Sequence, residues 1–392
     1  MRVEFEFYDE EPLENIITCL NYQMDKVVFF KYKNQSQMPL NNRIMKEKSE
    51  REQRQKDNLK KYLIDKCEVK EVRFVDLNRN SLKDAVEVMR EAVSEEVRAG
   101  NDIYFDLTGG EDMVLFAFGI LCNEFPAPLH RYDVKTNQLM EFYDTEDGSM
   151  KSLRALEEKK REISLEDLLL LEGGRIRESK EYKHLLRNDL NGIYEIAGRN
   201  WQSWNKFQKY VDNCLYHPEA LTRQDANLDP VMQNFLDQMI SQGFLRKCRS
   251  NSAVLPYGLV CRDSDIADIL SKGGNILEYY AGMKEGLRCK ESRVSVKIDW
   301  DGDLHPNEAE DVYNEIDVLT MKDHVPCFIS CKTGKMDSNA VLKALYELDT
   351  VANRYGGKYC KKILLTAQDP GLVYYERAEE LGIDIVLTRE YH

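Results

Sequence analysis

The stretch Asn314–Lys332, NEIDVLTMKDHVPCFISCK, decides how the rest of this chain is read. Two apolar-rich runs, Glu315–Thr320 and Cys327–Lys332, flank the polar segment Met321–Pro326, the pattern of two strands joined by a turn. With the turn centred at Asp323 and His324, Asp317 falls opposite Ser330 and Glu315 opposite Lys332. Strand alternation then puts Glu315 and Asp317 on one face, and Ser330 and Lys332 likewise. Two carboxylates meeting one ammonium make a candidate cation site beside a positive charge, which suits phosphodiester chemistry. The same residues also fit a solvated hairpin whose charges pair across strands. Spacing alone leaves both readings open.

Working outward, Ile276–Leu287 reads as a helix with Glu278 on its early turns, Arg293–Trp300 as an alternating strand, and Asp301–Glu310 as an acidic loop. Beyond the hairpin come a helix at Ala340–Tyr355 ending in Gly356-Gly357, a strand at Lys362–Thr366, a helix at Tyr374–Leu381 and a strand at Ile383–Leu387. The order from Ile276 onward is αβββαβαβ.

At the other end, strands are expected at Val3–Tyr8, Lys26–Tyr32, Val69–Leu77 and Asn101–Leu107, with helices at Leu13–Gln23, Arg43–Lys66 and Leu82–Arg98. This alternation predicts a parallel doubly wound sheet. The fourth strand runs into Thr108-Gly109-Gly110 and the apolar helix Met113–Asn123. Glycines at such a turn let a ligand approach the backbone, and the free N–H groups of the helix favour a phosphate. A plain tight turn with Thr108 capping the helix is the alternative. Further strands are expected at Leu129–Val134 and Gln138–Tyr143, around Lys135-Thr136-Asn137.

Between the ends, Glu146–Arg161 is a polar boundary, and Ser164 with Asp167 forms a capping-box-like start to the helix Leu165–Leu171. A helix at Val231–Ser241, then strands at Phe244–Lys247 and Ala253–Val260, suggest a winged-helix-like module, read as a spacer in which Trp201 and Trp204 pack rather than stack on bases.

Composition sets bounds on function. A chain of 392 residues with 42% hydrophobic and 32% charged residues suggests two or three globular domains. No bilayer-length apolar run and no leader at Met1 stand out, so a cytoplasmic protein without membrane contact is expected. Ten scattered cysteines, none in a Cys-x-x-Cys pair, predict reduced thiols. A net charge of −14 weighs against a sequence-independent nucleic-acid coat, though not against a local basic groove.

The strand ending in Asp-Leu-Thr-Gly-Gly before a helix, inside an N-terminal Rossmann-like domain, resembles the CARF domains of CRISPR ancillary effectors. From about Ala267 onward, a Glu on a first helix, an Asp on a central strand and an x-Lys strand beside it resemble the PD-(D/E)XK nuclease fold. The runs Asn314-Glu315-Ile316-Asp317, Ile329-Ser330-Cys331-Lys332-Thr333-Gly334 and Arg354-Tyr355-Gly356-Gly357 are similar to the nuclease half of CARF-fused effectors. The resemblance implies an α/β chain of three parts: a CARF sensor at 1–150, a winged-helix-like linker at 151–266 and a nuclease domain at 267–392. It implies a homodimer holding one cyclic oligoadenylate, cyclic tetra-adenylate by type, at Thr108, Gly109 and Gly110. Glu111 beyond them and Tyr8, Asp9 and Glu10 after the first strand are further ligand candidates. In the nuclease half it implies Mg²⁺ or Mn²⁺ at Asp317, with Glu278, Glu315 and the Cys331 carbonyl as further ligands, and Lys332 orienting the attacking water. Ser330 stands where the general motif has a second acid, so Glu315 or an acid of Asp301–Glu310 supplies that charge, or the site is weak or inactive. The implied function is a cyclic-oligoadenylate-activated, metal-dependent nuclease cleaving single-stranded RNA or DNA in type III CRISPR antiviral defence. The alternative is a ligand-sensing winged-helix transcriptional regulator with a catalytically inactive C-terminal domain.

Overall fold

The computed structural model describes residues 1–33, 42–134, 137–144, 150–154, 161–180, 182, 185, 187–222, 227–250, 254–271, 275–299 and 313–391. The acidic loop 301–310, Lys135 and most of the 146–161 boundary lie outside them. The chain opens with β1 (Arg2–Phe7), a short helix α1 (Ile17–Asn21), β2 (Lys26–Tyr32), a long helix α2 (Asn42–Cys67), β3 (Glu71–Leu77), α3 (Leu82–Arg98), β4 (Asp102–Asp106), α4 (Asp112–Glu124), β5 (Leu129–Asp133), β6 (Gln138–Asp144) and β7 (Met150–Arg154). These strands form one sheet in the order β3-β2-β1-β4-β5-β6-β7. The first five are parallel, and β6 and β7 extend the sheet antiparallel. This is the expected Rossmann-like domain. Its nearly continuous apolar β2 is buried from Lys26 to Phe30 on both faces, as a central parallel strand must be.

Next come α5 (Leu165–Leu171), whose N-cap Ser164 accepts the Asp167 amide as expected, and β8 (Arg175–Lys180). The middle module follows, with α6 (Arg187–Gly198), α7 (Trp201–Tyr216), α8 (Pro230–Ser241), the wing strands β9 (Leu245–Cys248) and β10 (Gly258–Cys261), and α9 (Ser264–Ser271). The C-terminal domain contains α10 (Asn275–Gly286), β11 (Glu291–Asp299), β12 (Tyr313–Lys322), β13 (Val325–Lys332), α11 (Ser338–Gly356), β14 (Lys361–Thr366), α12 (Leu372–Glu380) and β15 (Ile383–Leu387). The αβββαβαβ order is as expected. Its sheet runs β15-β14-β13-β12-β11-β8, so a strand from before the middle module closes one edge. The charged RIRESK of β8 gave no strand signal; it suits a half-exposed edge.

Three apolar cores hold the parts together. Val3, Phe5, Phe105 and Phe118 fill the first, between the N-terminal sheet and α3 and α4. The second unites Ile17, Val27, Phe29 and Leu63 of the N-terminal domain with Val296, Leu345 and Tyr355 of the C-terminal domain. The third joins Trp204, Phe207 and Phe235 of the middle module to Ile276, Val294 and Ile329. Trp204 is fully buried and Trp201 donates to Thr388 Oγ1 at 3.1 Å, so both tryptophans pack, as expected. None of the ten cysteines forms a disulfide. Among the described residues no helix is long and apolar enough to cross a membrane.

Candidate active site and ligand turn

The hairpin closes on two residues, Asp323 and His324, at φ 50° and 67°. Two left-handed residues in succession are the geometry of a type I′ turn, whose twist matches that of the strands it joins. Both strands are therefore longer than expected. The β12–β13 ladder ends at Val318–Ile329. Beyond it, the Asp317 carboxylate takes over as acceptor. Its Oδ2 accepts from the Cys331 backbone N–H at 2.6 Å, from Ser330 Oγ at 3.2 Å and from Lys332 Nζ at 3.5 Å. Asp317, Ser330, Cys331 and Lys332 are thus brought together, and Ser330 acts as a donor to the acid.

Glu278 approaches from α10 and accepts from Ser295 Oγ at 3.0 Å. Burial first, and then the Asp317 charge, push its carboxyl up to about 7, against the Ser295 hydrogen bond. Glu315 also contributes repulsion, while Lys180 of β8 offsets part of it. Glu315 itself is exposed, and its register partner is Lys297 of β11, not Lys332. Lys297 is ion-paired with Glu178. Among the described residues no three His, Cys, Asp or Glu side chains are grouped to hold a metal ion.

Sequence reasoning missed Ser295 and Lys180. The strand RVSVKID alternates regularly on paper, so nothing in it marks Ser295, which adopts φ 49°. Lys180 belongs to a strand recruited from far upstream and gave no signal at all.

At the other end, Gly110 has φ 120°, and a Cβ there would sit 3.3 Å from Phe7 Cβ, so this turn needs glycine. Thr108 does not cap α4; that place is Glu111's. The Thr108 hydroxyl instead accepts the Tyr132 amide at 2.9 Å, because the turn lies against β5. Asp9 closes the turn from the β1 side, its Oδ2 accepting from Gly110 N at 3.4 Å. Glu111 is ion-paired with Arg79, which also lies 5.0 Å from the Tyr32 ring centroid. Arg79 brings a cation to the turn that the sequence reading did not foresee. Tyr8 packs edge-on against Phe29 and Phe74, and Glu10 is exposed.

Fold and site define a class: a Rossmann-like α/β domain joined through a winged-helix-like module to a second α/β domain that carries an acid–lysine site. Residues 270–391 match the family model for the Card1-like endonuclease domain, so this part of the chain is of the expected nuclease class. No curated protein matches. Among solved structures the chain is similar to protein VC1899 from Vibrio cholerae, at 15% identity and a TM-score of 0.72 over 99% of this chain and 94% of that one. It is also similar to Can2 from Sulfobacillus thermosulfidooxidans, solved in complex with cyclic tetra-adenylate, at 12% identity and a TM-score of 0.65 over 98% of this chain and 95% of that one. At these identities the likeness is one of fold.

Proposed function

We propose that this chain is a cyclic-oligoadenylate-activated, metal-dependent endonuclease of type III CRISPR antiviral defence, acting as a homodimer on single-stranded RNA or DNA. The observation that carries the reading is the convergence of Ser330, Cys331 and Lys332 on Asp317 beside Glu278, within the residues that match an endonuclease family. The cyclic tetra-adenylate bound to Can2 supports the activator class.

Mg²⁺ or Mn²⁺ would be held by Asp317 and Glu278 with the Cys331 carbonyl. Two features fit a cation there. The Asp317 and Glu278 charges crowd each other, and all described donors to Asp317 fall on Oδ2, leaving Oδ1 without one. The Lys332 carbonyl accepts from Ala367 on the β14 side, so the Cys331 carbonyl faces β12 along with its own N–H. A bound cation supplies a water of lowered pKa and neutralises phosphoryl oxygens. Lys332 orients the attacking water and stabilises charge developing on the phosphate. The Cys331 amide and Ser330 hydroxyl hold Asp317 in place.

In the N-terminal domain the Thr108-Gly109-Gly110 turn would face the ligand, with Arg79 offsetting Glu111 and with Asp9 and Glu10 at the rim. The Thr108 and Gly110 amides donate to Asp106 Oδ1 and Asp9 Oδ2, so a phosphate there would displace those carboxylates. Phe116 and Ile120, 70% and 40% exposed on α4 just beyond the turn, offer the apolar face for a second copy, whose own turn would complete the ligand site. The test is cleavage by Asp317→Ala and Lys332→Ala at saturating ligand. Each is expected to lose at least about 100-fold, and full activity in both would remove the site.

A further inference from the structure

In a regular strand, residues two apart share a face. β11 breaks this rule at one point. Val294 and Val296 are both fully buried, yet Val294 enters the core shared with the middle module and Val296 the core shared with the sensor domain. Between them, Ser295 adopts φ 49°, a left-handed conformation that costs a non-glycine residue energy and persists where the surroundings impose it. The pairing of β11 with β8 shifts register over the same residues, between Val294 and Lys297.

The break lies level with the site. Val294 pairs with Val318 and Val296 with Ile316, which sets Ser295 beside Asp317. β12 divides there too, with Ile316 in the sensor-side core and Val318 in the other. The Ser295 hydroxyl, displaced from the regular face, meets Glu278 Oε2 at 3.0 Å. A regular β11 would keep its side chains on fixed alternate faces.

We infer that Ser295 is a positioning residue of the cleavage site: its left-handed break in β11 delivers a hydroxyl that holds Glu278 toward Asp317. A hydrogen-bonding neighbour that fixes a ligating carboxylate typically contributes 10–100-fold to metal affinity. The inference rests on the proposed assignment of Asp317 and Glu278 as cation-holding carboxylates.

The experiment is a Mn²⁺ titration of the full chain by electron paramagnetic resonance, without substrate. Wild type, Ser295→Ala, Ser295→Gly, Glu278→Gln and the double variant Ser295→Ala/Glu278→Gln are compared, each with its melting temperature. Both single serine variants should bind Mn²⁺ about tenfold or more weakly, and the double variant should bind no more weakly than Glu278→Gln alone. Glycine accepts the left-handed backbone, so Ser295→Gly should melt no lower than Ser295→Ala. Wild-type affinity in folded Ser295→Gly, or losses that add in the double variant, would overturn the role of Ser295. Wild-type affinity in Glu278→Gln would instead overturn the assignment on which it rests.

Discussion

Glu14 of the N-terminal domain and Lys358 of the C-terminal domain form an ion pair at 2.6 Å beside the Thr108-Gly109-Gly110 turn. The Glu14 carboxylate also accepts from Tyr359 through the same oxygen, Oε1. Its other oxygen has no partner, and a Cβ added at Gly109 would come within 2.9 Å of it. Glu11 adds a second grip, accepting the Lys358 amide at 2.7 Å. Lys358 follows α11, which packs on β13, the strand carrying Ser330 and Lys332. A displacement of Gly109 would therefore press on a side chain that is ion-paired to the C-terminal domain. Coupling requires that the two ends bias one shared element.

Breaking that pair should separate binding from activation. Glu14→Gln is expected to bind cyclic tetra-adenylate within about twofold of wild type but to lose about tenfold in ligand-stimulated cleavage, a coupling of ordinary size. Calorimetry and a cleavage assay on the same preparation read both quantities. Unchanged stimulation would place the coupling elsewhere.

The exposed ridge of α4 predicts the oligomeric state. Phe116→Glu puts a charge in the centre of the proposed apolar contact. Light scattering should show the wild type as a dimer and the variant as a monomer, with ligand affinity falling together with dimerisation. A variant that remains dimeric would move the interface off this helix.

Stability should fall as pH rises. His130 is stacked between Tyr22 and Tyr104 and lies 3.1 Å from Glu141 and 3.6 Å from Glu4. Burial opposes its charge, but the Glu141 hydrogen bond and the nearby Glu4 charge outweigh it and push its pKa from 6.5 to about 9. Its stabilisation is complete below 6.5 and is lost as pH rises through 9. Glu11 and Asp106 are each raised to about 7, first by burial, so they favour the protonated fold and withdraw stability as pH rises from near 4 through 7. All three act in one direction. A melting curve series should decline from pH 5 to 9, and His130→Gln should flatten the part between 6.5 and 9. A maximum near pH 8 would contradict this account.

Much of this was legible in the chain. α3 lies where a helix was expected, at Leu82–Arg98, and α5 starts at the expected Ser164 cap. The hairpin register and its Asp317–Ser330 juxtaposition followed from the turn centre alone. What escaped reading is what depends on distant partners. Glu14 and Lys358 are ordinary surface-type residues until two domains meet. β8 is charged along its length and becomes a strand only because β11 offers an edge. Ser295 looks like any polar residue of an alternating strand, and Thr108, for which a helix cap was the alternative reading, accepts the Tyr132 amide from a neighbouring strand. Glu315 was placed opposite Lys332 by extending a ladder that Asp317 ends.

The most direct test is cleavage of single-stranded RNA and DNA by the full chain with Mn²⁺, with and without cyclic tetra-adenylate, beside Asp317→Ala. The account predicts little cutting without ligand, strong cutting with it, and none by the variant in either state. Sequence-specific duplex binding with no cleavage under any ligand or metal condition would contradict it and favour a transcriptional regulator.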